Sequence, residues 1–250
     1  MAFDIEYDLN ICLTVRKWDA SCVDFLKCVY QTEGSLAFQV IVVDQAAPTR
    51  PAEIPARFPE LVLFDNNGAA ATPTALNNGL RLAHGRYAAL WDTEIRPDPA
   101  CFEKLIRFMD MNPDAGICGP KIIAENRSAI PSSGQFPPLL PMLLNCRMPS
   151  QQPINLDNIP REVDWLNAKA MIVRREVFTD TGLLDEGFTC AMFDLDLCRR
   201  AKKHGWHLWH FPDATASIGC PQNMDSGNKL HGGDVLRLFL KKYFLPAETN

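Results

Sequence analysis

Carboxylates that follow directly on runs of β-forming residues are the features of this chain that could do chemistry. Asp44 follows Phe38 to Val43, Asp92 and Glu94 follow Tyr87 to Trp91, and Asp194 and Asp196 open an amphipathic run that continues to His204. Asp92-Thr93-Glu94 spaces two acidic side chains two residues apart. An irregular backbone there can aim both at one hard cation. Mg²⁺ and Mn²⁺ favour oxygen ligands, and Mg²⁺ typically uses one or two carboxylates together with substrate phosphates. The chemistry that suits the triplet is therefore a metal bridging a diphosphate. Read from residue types alone, blander roles stay open. The triplet can be a solvated turn, Asp44 can cap the turn that follows it, and Asp194 can be the N-cap of the helix that it precedes. Trp91 and Trp165 can be core aromatics. Arg174-Arg175 reads as surface or ion-paired, and His207 and His210, alternating along a strand, read as structural. The cysteines fall singly with no Cys-x-x-Cys pair, and the histidines show no zinc spacing with them.

The elements needed to position those carboxylates follow from periodicity. Strand-like runs at Asn10 to Val15, Phe38 to Val43, Leu61 to Phe64 and Tyr87 to Trp91 alternate with helical runs around Cys22 to Gln31 and Thr74 to Ala83. This βαβα rhythm predicts an α/β fold with a mixed, mostly parallel sheet flanked by helices. In open sheets of that kind, ligands sit beyond the carboxyl ends of the strands, where these acidic residues fall. Asp98-Pro99 reads as an N-cap and first helical position, with the helix ending before Asn112-Pro113. Gly116 to Ile123 is the next strand. Ala129 to Pro160, rich in Pro, Ser and Gln, is a long excursion; Val163 to Val173 returns as a strand. Helices are expected over Arg175 to Thr181, Asp194 to His204 and Asp234 to Phe244, and strands over His207 to Phe211 and Ala214 to Ile218.

Composition narrows the function classes. The chain has 250 residues, 25 Lys+Arg against 30 Asp+Glu and a formal net charge of −5, with the basic residues scattered. It lacks the basic face that a nucleic-acid backbone requires, so nucleic acid is not an expected partner. No apolar run approaches the roughly 20 residues of a membrane span, and the acidic start, Met-Ala-Phe-Asp, carries no secretion signal, which leads us to expect a cytoplasmic protein. Gly-x-Gly-x-x-Gly, the P-loop and Gly-x-Ser-x-Gly are all missing, which excludes the common dinucleotide, nucleoside-triphosphate and serine-hydrolase signatures.

Several runs together resemble family 2 glycosyltransferases of the GT-A fold, particularly bacterial rhamnosyltransferase-like members. They are Val40 to Asp44, Asn66 to Gly68, Ala75-x-Asn77-x-Gly79 with Leu82-Ala83-x-Gly85, Leu90 to Pro99, Asp164-Trp165-Leu166, Arg174 to Glu176, Leu184 to Glu186, Asp194 to Arg199, and Gly205-Trp206 with Pro212 to Ala214. The match is collinear from about Leu9 to Ser217. It implies one GT-A domain over 1–250, with a nucleotide-binding half to about 125 and an acceptor half from about 126. The implied activity moves a sugar from a nucleotide-diphosphate sugar, UDP- or dTDP-linked, to a hydroxyl of a glycan, lipid-linked or protein acceptor, with inversion, as in polysaccharide biosynthesis. By the same resemblance Thr14, Asp44, Asn67, Asn77 and Asp92 are assigned to the nucleotide. Asp92, Glu94 and, as a substitute for a missing histidine, His231 are assigned to Mn²⁺ or Mg²⁺. Asp194 is assigned as general base, and Trp165, Lys169 and Asp196 to the acceptor side. The chain departs from the pattern in having Phe193 where the family has Glu, Asn167-Ala168-Lys169 where a small Gly is usual, and Thr14-Val15-Arg16 at the first strand. A catalytically silent GT-A domain that binds a sugar nucleotide or a partner protein is the alternative. A nucleotidyltransferase is a more distant one, because Thr14 to Asp19 carries no glycine-rich, basic loop.

Overall fold

The computed structural model describes residues 7–32, 36–46, 49–66, 71–136, 158–188, 192–218 and 242. Three buried strands, β1 (Leu9–Val15), β2 (Phe38–Asp44) and β4 (Tyr87–Trp91), are apolar on both faces, as strands covered by packing on each side must be. Helix α1 (Ala20–Thr32) starts where the Asp19 carboxylate accepts the amide N–H groups of Ser21 at 3.1 Å and Cys22 at 3.3 Å, the capping chemistry expected of Asp. After the short α2 (Ile54–Arg57) and β3 (Val62–Asp65), α3 (Thr72–Leu82) carries the chain back across the sheet. Gly79 of α3 approaches so closely that a Cβ there would sit 3.2 Å from Val43 Cγ2.

The second half adds β5 (Ile95–Pro97), α4 (Cys101–Met111), β6 (Ala115–Ala124), β7 (Ala129–Ile130), β8 (Ser133–Gly134), β9 (Arg161–Glu162), β10 (Trp165–Leu166), β11 (Ala170–Arg174), α5 (Arg175–Thr181), α6 (Phe193–Lys203) and β12 (His207–Ile218). The main sheet runs β3-β2-β1-β4-β11-β6-β12-β5, with β7 on β6 and β9 on β12. The pairs β3·β2, β2·β1, β1·β4 and β6·β12 are parallel, whereas β11 lies antiparallel to both β4 and β6. Strands β8 and β10 form a separate antiparallel pair. The sheet is thus mixed and mostly parallel with helices against it, as the rhythm of the sequence predicts. Apolar clusters fill both faces, one built around Phe25, Phe102 and Met109, the other around Leu166, Phe188 and Leu197.

Four local expectations are corrected. The run from Val163 to Val173 is two short strands, β10 and β11, separated by a turn at 167–169. His207 to Ile218 is one strand with an irregularity between Phe211 and Thr215 in place of two strands. Asp98 does not cap α4; the helix starts at Cys101 after Ala100 at φ 61°, and the Asp98 carboxylate accepts the Thr215 hydroxyl at 2.5 Å. Asp194 likewise is no N-cap, since α6 begins at Phe193 after Met192 at φ 67°. The helix expected over 234–244 lies outside the described residues apart from Lys242.

Candidate functional site

The sheet order sets where a ligand can enter. From β1 the chain moves outward to β2 and β3, then returns through α3 to place β4 on the other side of β1. The carboxyl ends of β1 and β4 therefore flank the point where the strand order reverses, the place where α/β sheets open a crevice. Val15 and Arg16 leave one side of it, and Trp91 leads into Asp92 on the other.

The turn after β4 is tightly specified. Trp91 is buried against Phe102 and donates its indole N–H to the Ile95 carbonyl at 2.7 Å. The Ile95 amide donates to the Asp92 carbonyl at 3.0 Å, and the Glu94 amide to Asp92 Oδ1 at 3.0 Å. Trp91 thus acts as a core aromatic that also fixes the geometry of the acidic triplet. Asp92, Thr93 and Glu94 are all partly exposed. Asp92 Oδ2 faces Lys169, whose Nζ lies 3.7 Å away.

Lys169 belongs to the 167–169 turn, and that turn reaches both acidic centres. Its carbonyl accepts the Asp92 amide N–H at 2.9 Å, and the neighbouring Ala168 amide donates to Asp194 Oδ2 at 3.4 Å. Asn167 braces the turn from within, its Oδ1 accepting the Lys169 amide N–H at 2.9 Å while its own amide donates to the Ser132 carbonyl at 2.8 Å. Asp194 stands in the first turn of α6, with Oδ1 accepting the Leu195 amide N–H at 2.9 Å. Burial pushes its carboxyl above the usual range, and the Leu195 and Ala168 amides offset only part of that.

Other assigned residues are placed differently from one another. Thr14 is half-buried on β1, beside Val43. Asp44 is fully buried: Oδ2 accepts the Trp18 indole N–H at 2.9 Å and Arg50 Nη1 at 3.0 Å, and Oδ1 accepts the Ala46 amide at 2.8 Å. Arg50 then spans to Asp65 at 2.6 Å, so Asp44 ties together the loops beyond β1, β2 and β3. Asn77, also buried, donates to the Leu184 carbonyl and to Glu186 while accepting the Leu184 amide, pinning α3 to 184–186. Asp196 is wholly buried and pairs with Arg200 at 2.8 Å and with Lys242 at 2.7 Å. Arg200 also donates to the carbonyls of Thr181, Gly182 and Leu183, closing the end of α5. Trp165 is buried on β10 with its indole N–H unpartnered. Asn67 and His231 lie outside the described residues.

Sequence reasoning missed Trp18 and Arg50 as partners of Asp44, and did not foresee that the Lys169 ammonium pairs with Asp92. A cation placed after a strand gives no sign, in one sequence, of which carboxylate it will meet. Arg174 and Arg175, read as surface or ion-paired, are partly exposed and donate to backbone carbonyls: Arg174 to Ala115 and Met109, Arg175 to Ala83 and Gly85.

Among the described residues no group of three or more His, Cys, Asp and Glu side chains is gathered to hold a metal. Two carboxylates on one turn still fit a hard divalent cation that draws its remaining oxygens from a diphosphate. Among the same residues, no helix is long and apolar enough to cross a membrane.

A family model described as glycosyltransferase like family 2 matches residues 40–225. The N-acetylglucosaminyl-diphospho-decaprenol L-rhamnosyltransferase of Mycobacterium tuberculosis is 30% identical over 138 residues, which are 50% of this chain and 45% of that protein, so the match spans about half of each. Among solved structures, GalNAc-T7 with UDP, GalNAc and Mn²⁺ superposes with a TM-score of 0.65 at 11% identity, over 87% of this chain and 44% of the other. S. aureus TarS 1-349 in complex with UDP-GlcNAc superposes with a TM-score of 0.63 at 14% identity, over 88% and 61%. These likenesses show the GT-A fold.

Proposed function

The chain belongs to glycosyltransferase-like family 2, and on that premise we propose that it transfers a sugar from a nucleotide-diphosphate donor to a hydroxyl acceptor with inversion at the anomeric carbon. The observation that carries this reading is the 167–169 turn, which bonds to Asp92 through the Lys169 carbonyl and to Asp194 through the Ala168 amide. It couples the residue suited to the diphosphate and the residue suited to the acceptor proton at one edge of the sheet. In the reaction the acceptor oxygen forms its bond to the anomeric carbon as the bond from that carbon to the diphosphate oxygen breaks. Asp194 takes the hydroxyl proton, and the nucleoside diphosphate leaves. A carboxylate whose pKa burial has raised is a stronger base than an exposed one, which suits it to that task. A divalent cation held by Asp92 and Glu94, with His231 as a further candidate, would neutralise the charge that develops on the departing diphosphate.

A UDP- or dTDP-linked donor is the favoured substrate, and TarS and GalNAc-T7, described with UDP-GlcNAc and with UDP, support that choice. A lipid-linked acceptor is favoured by the name of the mycobacterial relative, with glycan and protein acceptors as the other classes. A silent domain that binds a sugar nucleotide or a partner protein is the second reading. It draws on Phe193, which puts a buried apolar ring beside Asp194 where the resemblance calls for Glu.

Calorimetry with UDP, dTDP and GDP in the presence of Mn²⁺ tests the donor site, and binding of none of them at millimolar concentration would refute it. Asp92→Ala should abolish the Mn²⁺-dependent gain in nucleotide affinity without loss of fold, because the residue lies past the strand end and is partly exposed. Unchanged affinity would reduce the triplet to a structural turn.

A further inference from the structure

The ammonium of Lys169 stands beside the acidic triplet at the end of β4. It lies 3.7 Å from Asp92 Oδ2, and the two side chains are 29% and 31% exposed, so both can be reached by a ligand from the crevice. Its backbone is held on two sides, by the Asp92 amide on its carbonyl and by Asn167 Oδ1 on its own N–H. The side chain is therefore delivered to this spot by a fixed turn. A diphosphate arriving beside Asp92 and Glu94 meets like charge unless a cation intervenes, and Lys169 is the cation that the structure pairs with Asp92. Resting on the donor reading above, we propose that Lys169 is a diphosphate-binding residue. Its ammonium sits on Asp92 when the site is empty and turns to a diphosphate oxygen when nucleotide binds. It follows that Lys169 and a divalent cation compete for Asp92 in the free protein, and that nucleotide binding keeps a metal-independent component supplied by Lys169.

The test uses the full chain, with UDP, dTDP and GDP as probes, as wild type, Lys169→Gln and Lys169→Arg. Nucleotide affinity is measured by calorimetry in EDTA and again with Mn²⁺, and Mn²⁺ binding without nucleotide by the electron paramagnetic resonance signal of the free ion. Wild type should bind nucleotide in EDTA. Lys169→Gln should lose about tenfold of that affinity, the amount expected for one hydrogen bond to a charged group, and Lys169→Arg should keep most of it. With the competing ammonium gone, Lys169→Gln should bind Mn²⁺ alone more tightly than wild type does, which also shows that the variant is folded. Equal nucleotide affinity of wild type and Lys169→Gln in EDTA would overturn the proposal. So would a wild type that binds nucleotide with Mn²⁺ and not at all in EDTA, and in both cases the donor reading would survive. A wild type that binds no nucleotide under either condition would remove the donor reading and this inference with it.

Discussion

One buried and one partly buried titratable side chain should contribute to the acid response of this protein with opposite sign. His210 is buried on β12 with neither ring nitrogen partnered, and burial, together with the positive charges of Lys121 and Arg161, lowers its pKa to about 4. The unfolded chain takes up that proton near the ordinary value of 6.5, while the folded state resists until about 4. The stability that the neutral ring supplies is thus complete above about pH 6.5 and is lost as pH falls toward 4, by up to about 3 kcal/mol. Urea melts of His210→Leu against wild type should show a flatter acid limb in the variant, and parallel curves would refute the assignment. Asp194 works the other way. Its folded pKa is raised, so between the unfolded value of 3.8 and the folded one the native state holds the extra proton, and stability falls as pH rises through that window. Asp194→Asn should therefore gain on wild type as pH is raised, then stay level, while sugar transfer drops by about 10²- to 10⁴-fold. Activity equal to wild type would remove Asp194 as the base. The places of Asp44 at the end of a strand and of Asp194 at the start of a helix were legible in the sequence. The engagement of Asp44 by Trp18 and Arg50 was not, because partners 26 and 6 residues away leave no periodic trace.

Short elements near the acidic edge depend on close approach more than on propensity. Gly134 of β8 lies under the Trp165 ring of β10, and a Cβ built there would stand 2.7 Å from Trp165 Cζ2 and 2.8 Å from two further ring atoms. A flat indole cannot yield as a flexible chain end does, so Gly134→Ala should destabilise by about 1–3 kcal/mol and change the Trp165 environment. Tryptophan fluorescence with a denaturant titration reads both, and an unchanged midpoint would show that the pair moves apart freely. Tyr87–Trp91 and Arg175–Thr181 have the bounds that their patterns predict, because each is a dense apolar run or amphipathic turn closed by clear punctuation. The run through 163–173 misled for a physical reason. Continuous apolar character suits one buried strand as well as two, and the break rests on Asn167 bonding its own turn, a local side-chain effect hidden inside a hydrophobic stretch.

At the scale of the whole molecule, the βαβα rhythm was enough for the fold class, whereas strand order was not legible. Nothing in the composition of β11 distinguishes an antiparallel strand from a parallel one. Its antiparallel place between β4 and β6 joins the strands on either side of it in one sheet. During synthesis, β4 and β6 leave the ribosome tens of residues ahead of the strand that separates them, each with an unsatisfied row of backbone donors and acceptors. Such edges invite pairing with other chains. A ribosome-stalled nascent chain ending just before β11, with β6 already clear of the ribosome, should accordingly bind chaperone and resist release in a folded form, whereas one extended well beyond β12 should become protease-resistant. The position of one strand would then set the moment at which the newborn protein becomes safe from its neighbours.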